Sequence, residues 1–560
     1  MSNFEAAVAR LNSRNLPSLW KLCSYLSCIE VFGSGASPIS PLWNCEMERL
    51  LCDAVLSSRA APYKTSILTL DDLRYVINSA QDALSDGRFK QEIQSGGDRS
   101  EMLYQLRRFF ARMGNVQLRP QEPRLFMGAG RLVAMLSTLP RESLGEFPEH
   151  YRDLARLMPD EIKTVLGGEV ADYFSIHLSI LQRHRIIAQQ AFSQLAADLP
   201  REAVHVERPV ERQMRVFVKL FELFFSLFDH SLNFTTDALR KIAPSSVSGK
   251  SIESYLEVFS RSTLALRKLG CEPAYNYGPV GWRLSPLERF PIIDLADGSS
   301  SYCVPNIRTF KRSFADVIHF TLQDTLGERY NTFRGAAQEV FLQQLVRRRL
   351  SIRQLIPERV YRKGRGEFRG PDLTLVEKVG PSLILVESKG RRLLAETRFT
   401  MTDGSVDKNL DDAYEALRKL PGKVDDLRSR RPEYADVQMD LDATKEAVPF
   451  AVVVLGETTY MTTELLRYRA ENESAHPLHG YPFPFAVMGP ETFELAVELA
   501  AQEGRSLRHV LAEFWEDSGH SEITDTSAEL FRDKHPLEAA TFAATFLKPL
   551  LKDAGLKFED

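Results

Sequence analysis

Four side chains between residues 335 and 389 are of the types that hold a hard metal ion and act on water beside it. They are Glu339, Asp372, Glu387 and Lys389. Carboxylate oxygens are the protein ligands that Mg²⁺ takes, together with water and substrate phosphate oxygens. A lysine beside such an ion orients or activates water, or neutralises charge on a phosphate. The predicted chemistry is therefore metal-dependent hydrolysis of a phosphodiester bond.

The spacing of these residues predicts that two neighbouring strands bring them together. Asp372 opens the apolar run LTLV, and Glu387 closes the apolar run LILV, with the loop EKVGPS between the two runs. Two such strands pair as neighbours, so both carboxylates are expected to converge on one cation. Glu387 and Lys389 are two residues apart and share one face of a strand, whereas Ser388 faces away.

Taken one at a time, these motifs have ordinary explanations. A Pro-Asp dipeptide commonly starts a turn, and an acid-x-Lys sequence on an exposed strand is usually a solvated ion pair. The conjunction favours a site, because both acids border apolar strands and the helix with Glu339 precedes them. A strand buried on both faces is continuously apolar and should not end in Glu and Lys without a reason.

Three segments in this order, the helix GAAQEVFLQQLVRRRL, the strand start GPDLTLV and the strand LILVESK, resemble the PD-(D/E)XK nuclease superfamily. The resemblance implies a restriction-endonuclease-like α/β domain. It also implies roles: Asp372 and Glu387 hold Mg²⁺, for which Mn²⁺ can substitute. Glu339 holds a metal-bound water or a second ion, and Lys389 acts on the water or the phosphate.

A basic segment, which runs from Arg347 to Arg369 and is followed by Arg391 and Arg392, predicts a local phosphate-binding surface in a chain of net charge −4. Glycines alternate with the charges, so a nucleic-acid backbone can approach closely. The alternative is a solvated helix end and hairpin. The predicted nucleic-acid-binding residues are Arg347, Arg348, Arg362, Lys363, Arg365, Arg369, Arg391 and Arg392.

The helix NLDDAYEALRKL, after the acid-x-Lys strand, departs from one subgroup of the superfamily. Nucleases resembling RecB carry Gln-x-x-x-Tyr there, but this chain has Leu410 four residues before Tyr414. Tyr414, Arg418 and Lys419 remain candidates to line a groove, although Tyr414 is as well explained as a packing residue. The resemblance covers about residues 311 to 515 and assigns a chemistry, not a substrate.

Hydrophobic periodicity divides the 560-residue chain into four parts. Residues 1–285 form a mostly helical N-terminal region for recognition, regulation or partner binding. Its predicted helices include EMLYQLRRFFARM, GEVADYFSIHLSILQRHRIIAQQAFSQLAADL and RQMRVFVKLFELFFSLFDHSLNF. Residues 286–310 form a linker with short strands, the first of them PIIDL, and 311–515 form the nuclease-like domain. The helix PNIRTFKRSFADVIHFTLQDTL leads into that domain, whose later predicted strands are FAVVVLG and PFAVMG. Residues 516–560 form a helical tail that is expected to pack back on the domain.

Composition restricts the class of protein. The chain has 44% hydrophobic and 26% charged residues, no apolar run long enough to cross a membrane, and no signal-peptide pattern at its first residues. Six cysteines are too few for a disulfide scaffold, and the four among the first 52 residues, Cys23, Cys28, Cys45 and Cys52, are expected to be buried thiols. We therefore expect a cytoplasmic protein that does not associate with membranes.

The sequence thus predicts an α/β nuclease domain behind a large helical region, with DNA as the substrate and RNA as the alternative. One nuclease domain joined to one long unassigned region is typical of bacterial restriction or phage-defence effectors. The helical region offers a surface for a protein partner or a second copy of the chain. The rival hypothesis is a non-catalytic nucleic-acid-binding or scaffold protein of the same fold.

Overall fold

The protein is a mixed α/β protein that is mostly helical, with a helical N-terminal region and a mixed sheet in its C-terminal half. It is described from a computed structural model. The described residues are 3–32, 45–61, 64, 66, 69, 72, 75, 76, 125–198, 232–272, 285–295, 301–378, 380, 382–390, 403–456, 462–472, 474, 476, 478–520 and 541–553.

Helices dominate the described part of the first 290 residues, as their apolar periodicity predicts. The segment that begins GEVADYFSIHL forms one long helix, whose side chains His177 and Phe174 lie in the core. Two predicted helices, EMLYQLRRFFARM and most of RQMRVFVKLFELFFSLFDHSLNF, lie outside the described residues. No described helix is long and apolar enough to span a bilayer. The helices are α1 (Asn3–Leu11), α2 (Leu16–Phe32), α3 (Cys45–Ser57), α4 (Leu125–Val133), α5 (Leu139–Glu142), α6 (Arg152–Leu166), α7 (Val170–Asp198), α8 (Thr236–Ile242), α9 (Gly249–Phe259), α10 (Thr263–Gly270) and α11 (Pro286–Arg289).

A small four-stranded sheet joins the predicted linker to the helical region. Its strands are β1 (Phe234–Thr235), β2 (Ser260–Ser262), β3 (Ile292–Asp294) and β4 (Ser301–Cys303), in the order β1-β4-β3-β2. The predicted strand PIIDL is confirmed as β3. The strands β1 and β2 were not predicted, because two or three residues are too few to show an alternating pattern.

A single long helix, α12 (Ile307–Arg349), carries the two segments that the sequence predicts as separate helices. The side chain of Asn306 caps its first turn by accepting a hydrogen bond from the Thr309 amide, 2.8 Å. Gly327 has φ of 56° and ψ of −134°, which is not helical and marks a kink between the two halves. The predicted start of the nuclease-like domain at residue 311 lies inside the first half.

The second sheet is mixed and has five strands in the order β11-β10-β9-β8-β5. β8 pairs antiparallel with β5 and with β9, whereas β10 pairs parallel with β9 and with β11. A separate hairpin, β6–β7, leaves from the end of β5. The strands are β5 (Ile352–Pro357), β6 (Val360–Lys363), β7 (Gly366–Arg369), β8 (Leu373–Glu377), β9 (Leu383–Lys389), β10 (Phe450–Leu455) and β11 (Phe485–Met488).

Helices cover both faces of this sheet, which explains why its central strands are continuously apolar. Ile384 and Val386 of β9 belong to the core that includes α12, and Leu383 and Leu385 belong to the core on the opposite face. That opposite core includes α13, which contains the predicted helix NLDDAYEALRKL. The later helices are α13 (Asp403–Arg428), α14 (Gln438–Asp442), α15 (Thr462–Asn472), α16 (Pro490–Glu503), α17 (Leu507–His520), α18 (Phe542–Thr545) and α19 (Lys548–Asp553).

The described part of the C-terminal tail packs back on the protein, as predicted. The ring of Phe542 lies 5.3 Å from that of Phe341 on α12. The amides of Phe542 and Ala543 donate hydrogen bonds to Glu498 and Glu494 of α16, at 2.7 and 2.6 Å. Acidic side chains thus satisfy the unpaired amides that begin α18.

Burial at this contact gives Glu494 an unusual protonation. The carboxyl group is completely buried and its Oε2 has no hydrogen-bond partner in the described part of the chain. Burial raises the pKa of Glu494 to about 8, against smaller opposing effects of the Ala543 amide and of Arg131. The folded protein therefore favours the protonated acid.

The Glu494→Gln variant should remove a pH-dependent loss of stability. A folded pKa above the unfolded value of 4.5 means that wild type loses stability as pH rises from about 4.5 to about 8. Each pH unit in that window removes up to about 1.4 kcal/mol. Denaturant unfolding at pH 5, 6, 7 and 8 should show the variant gaining on wild type as pH rises. The exposed Glu272→Gln is the control, and a gain that is equal at all four pH values would contradict the prediction.

Candidate active site

The four predicted site residues meet at one edge of the five-stranded sheet. Leu373 pairs with Val386, so Asp372 and Glu387 stand opposite each other on neighbouring strands. Lys389 ends β9 on the same edge. Glu339 projects from α12, and the charges of Asp372, Lys389 and Glu387 all act on its carboxyl group. The expectation that paired strands bring the acids together therefore agrees with the geometry.

Helix α12 is fixed to this edge by polar contacts with the ends of two parallel strands. The guanidinium of Arg334 donates to the carbonyl oxygens of Gly390, after β9, and Gly456, after β10. The amide of Gln338 donates to Ser388 Oγ at 3.0 Å. Glu339 follows directly after Gln338, so these contacts hold its turn of the helix beside the carboxylates.

Glu387 is a buried carboxylate and not part of a solvated ion pair. Only 3% of the residue is exposed. Lys389 Nζ lies 3.3 Å from Glu387 Oε2, so both side chains share one face of β9, whereas Ser388 faces α12. Asp372 Oδ2 accepts a hydrogen bond from the Ser388 amide at 2.6 Å, which fixes the two strand ends together. This edge therefore contains charge that needs compensation.

Burial and neighbouring negative charge raise the pKa values of Asp372 and Glu339. Burial, and then the negative charge of Glu387, raise the pKa of Asp372 to about 7. Burial, and then the charge of Asp372, raise the pKa of Glu339 well above its usual value. Burial lowers the pKa of Lys389, but the charges of Glu387 and Asp372 outweigh it and the pKa is raised. Such carboxylates favour a nearby cation.

A second lysine, Lys423 of α13, belongs to this site and was not predicted. Its Nζ donates hydrogen bonds to Glu387 Oε1 and, at 2.9 Å, to the carbonyl oxygen of Gly370. The sequence contained a signal for it. Lys423 directly precedes Val424 and lies three residues after Leu420, both buried, so it borders the apolar stripe of α13. A cation beside a buried stripe needs a partner.

The groove candidates that the sequence did suggest on α13 have other partners. Arg418 and Lys419 pair with the half-exposed Glu415 on the same helix, at 2.9 and 3.9 Å. The half-buried ring of Tyr414 packs against the core and lies 5.5 Å from the ring of His476. Packing is the better explanation of Tyr414.

Glu358, an acid between Arg353 and Arg359 in the basic segment, is another neighbour of the site. Its amide donates to the Asp372 carbonyl at 3.0 Å. Burial raises the pKa of its carboxyl group, whereas the charges of Arg369 and Lys423 act to lower it. His150 of the N-terminal region also acts on it, so that region reaches toward the site. We call Glu339, Glu358, Asp372 and Glu387 the acidic edge.

Half of the predicted nucleic-acid-binding residues lie on the β6–β7 hairpin, which starts and ends at the acidic edge. Arg362 and Arg365 are exposed, and the turn between the strands uses Gly364 with φ of 63°. Lys363 Nζ lies 3.2 Å from Asp426, and Arg369 lies 3.5 Å from Glu358. The hairpin therefore presents cations next to the acids.

Two further predicted nucleic-acid-binding residues, Arg347 and Arg348, are not brought to the acidic edge. Arg347 and Arg348 lie about 12 Å farther along α12 than Glu339, at about 1.5 Å per residue. That end of the helix leads into the start of β5, which pairs with the far end of β8. Arg347 pairs with Glu146 at 3.0 Å, and Arg348 bonds Gln344. Arg391 and Arg392 lie outside the described residues.

The donor set matches a hard cation bound by two carboxylates. Among the described residues, no three His, Cys, Asp or Glu side chains are arranged to hold a metal ion together. Mg²⁺ commonly uses one or two carboxylates and completes its shell with water and substrate oxygens. The half-buried Asp372 and the buried Glu387, which stand opposite each other at the strand ends, fit that requirement. Glu339 is near enough for the charge of Asp372 to act on its carboxyl group.

The comparisons with known proteins add no assignment. No protein-family model, no curated protein and no solved structure matches the chain.

Proposed function

We propose that this chain is a metal-dependent nuclease with a restriction-endonuclease-like domain of the PD-(D/E)XK type. The proposal depends above all on one observation. The buried Glu387 lies opposite Asp372 at the end of β9, and Lys389 lies on the same face of that strand. A buried acid at the end of an apolar strand costs folding free energy, and proteins usually carry such a cost at functional sites.

The residues divide the proposed reaction among them. Asp372 and Glu387 would hold Mg²⁺, or Mn²⁺ in its place, and Glu339 would accept a hydrogen bond from a water beside them. The ion, when bound, lowers the pKa of water and stabilises negative charge on the phosphate. Lys389 orients the attacking water or neutralises the phosphate oxygens through its ammonium group. These roles need only three residues of the acidic edge together with Lys389.

DNA is the proposed substrate, with RNA as the alternative. The exposed Arg362 and Arg365 on the β6–β7 hairpin supply cations for a phosphate backbone next to the acidic edge. We propose an endonuclease whose N-terminal helical region recognises a target, restrains the enzyme or binds a partner. A bacterial restriction or phage-defence effector is the biological setting that this architecture suggests.

A non-catalytic nucleic-acid-binding or scaffold protein of the same fold is the second candidate. The basic hairpin alone serves such a protein equally well. The acidic edge does not, because buried carboxylates facing a phosphate backbone weaken binding unless a cation lies between them. Calorimetry separates the two candidates: absence of Mn²⁺ binding at millimolar concentration would favour the binding protein.

The test of the proposed function is cleavage by the full-length protein. Supercoiled plasmid, linear duplex DNA, single-stranded DNA and single-stranded RNA are incubated with protein and Mg²⁺ or Mn²⁺. Cleavage of DNA that stops on addition of a chelator is the expected result. Asp372→Ala protein purified in parallel reports any contaminating nuclease. If wild type and this variant cut equally, or neither cuts any of the four substrates, the proposal fails.

A further inference from the structure

We propose that Lys423 competes with the metal ion. Its ammonium group occupies the cation position on Glu387 until an ion displaces it toward the substrate phosphate. The inference rests on the proposed function, because it concerns the same site. It adds a residue and a regulatory property that the PD-(D/E)XK resemblance does not supply. The Lys423–Glu387 contact carries it.

Both oxygens of the Glu387 carboxylate are occupied by ammonium groups. Lys423 Nζ donates to Oε1, and Lys389 Nζ lies 3.3 Å from Oε2. The two lysines reach the carboxylate from different elements, since Lys423 comes from α13 and Lys389 from β9. A divalent ion bound to Glu387 Oε1 would be repelled by the ammonium group that already contacts that oxygen.

The position of the Lys423 ammonium has the oxygen donors of a hard-cation site. Besides Glu387 Oε1, it contacts the carbonyl oxygen of Gly370 at 2.9 Å, two residues before Asp372. Carboxylate and backbone carbonyl oxygens are ligands that hard divalent cations take. An ion that binds Asp372 and Glu387 must therefore compete with Lys423 for Glu387, whereas Lys389 contacts the other oxygen.

Displacement leaves the Lys423 ammonium at the edge where a phosphate would arrive. Gly370 connects the β6–β7 hairpin to Asp372, so Lys423 lies between the proposed nucleic-acid surface and the acidic edge. Its side chain is 16% exposed, against 4% for that of Glu387, and has a path toward solvent. A lysine released from a carboxylate next to a bound phosphodiester gains a phosphate oxygen as its new partner.

A purely structural ion pair predicts the opposite behaviour. If Lys423 only held α13 against β9, its removal would loosen Glu387 and weaken metal binding. If it competes, its removal should strengthen metal binding, because Glu387 Oε1 becomes available. The sign of the change in metal affinity therefore separates the two roles.

The decisive experiment is calorimetric titration of metal-free full-length protein with Mn²⁺ alone. Lys423→Met should bind Mn²⁺ about tenfold more tightly than wild type. The reason is that the variant removes the repulsion between the ion and a unit positive charge at contact distance. Lys423→Arg keeps the charge and should stay near wild type. Lys419→Met is the matched control, because the exposed Lys419 is on the same helix one turn earlier and pairs with the half-exposed Glu415.

The outcomes separate this inference from the proposed function. Unchanged or weaker Mn²⁺ binding by folded Lys423→Met, with binding by wild type, overturns the competition and leaves the nuclease proposal intact. If Lys423→Met binds Mn²⁺ and wild type does not, the result supports the competition in its strongest form. If neither protein binds Mn²⁺, both the competition and the proposed nuclease function are overturned. Circular dichroism checks that each variant is folded.

DNA binding tests the second half of the inference. Lys389→Met protein, used for its low cleavage rate, is compared with the Lys389→Met/Lys423→Met double variant in Mn²⁺. The slope of log affinity against log salt concentration should fall by about one when Lys423 is removed, the effect of losing one phosphate contact. An unchanged slope would mean that the displaced lysine does not reach the phosphate.

Discussion

Asp372→Asn protein is expected to lose metal-dependent cleavage by on the order of 10³-fold, the loss seen when one major group that stabilises a transition state is removed. Asparagine keeps an oxygen that accepts the Ser388 amide, so the strand ends stay joined. It removes one of the two carboxylates opposite each other at the acidic edge. The single-turnover cleavage rate and the Mn²⁺ affinity measured by calorimetry should both fall.

The control for this substitution is Asp425→Asn, an exposed aspartate on α13. It removes one negative charge from the same domain, away from the acidic edge, and should leave cleavage and Mn²⁺ affinity near wild type. An Asp372→Asn protein that binds Mn²⁺ as tightly as wild type would exclude Asp372 as a metal ligand. A folded variant with full activity would exclude the whole site.

The sequence predicted the central strands and their site residues because burial on two faces produces a strong local pattern. The runs around Leu375, Ile384, Val452 and Ala486 are continuously apolar and all became strands. The two-residue period then fixed the relation between Glu387 and Lys389 without any tertiary information. Such features are properties of one strand and its neighbour.

Features that depend on distant packing were missed. The strand β5, with the sequence IRQLIP, was not predicted. It is at the edge of the sheet, so its residues mix exposed and buried positions and show no continuous apolar run. Lys423 follows Glu387 by 36 residues and reaches it only because α13 packs across β9. No local spacing contains that contact, and the orientation of α13 decides it.

The predicted basic surface was divided by the same tertiary effects. Arg347 and Arg362 are close in the sequence, but α12 and β5 carry them to opposite edges of the sheet. Charge clustering along a chain predicts a surface only when the residues share one element. The β6–β7 hairpin meets this condition, so its cations remain next to the acidic edge.

Lys389→Met protein is expected to cleave DNA on the order of 10²- to 10⁴-fold more slowly than wild type, the range for losing a group that assists proton transfer or stabilises charge. Its metal affinity should not fall, because Asp372 and Glu387 are unchanged and removal of the ammonium 3.3 Å from Glu387 Oε2 removes a charge that repels the ion. This pattern differs from that of Asp372→Asn, which should lose both quantities. Single-turnover rates at saturating Mn²⁺ measure the first effect and calorimetry measures the second.

Arginine at the same position tests whether Lys389 acts as a point charge. Lys389→Arg keeps the positive charge beside Glu387 but spreads it over a planar group that is never deprotonated. If Lys389 only neutralises phosphate charge, this variant should recover much of the rate that Lys389→Met loses. If Lys389 handles the proton of the attacking water, the arginine variant should stay as slow as the methionine variant. A Lys389→Met protein that cuts at the wild-type rate would exclude both roles and leave the proposed reaction to the carboxylates and Lys423.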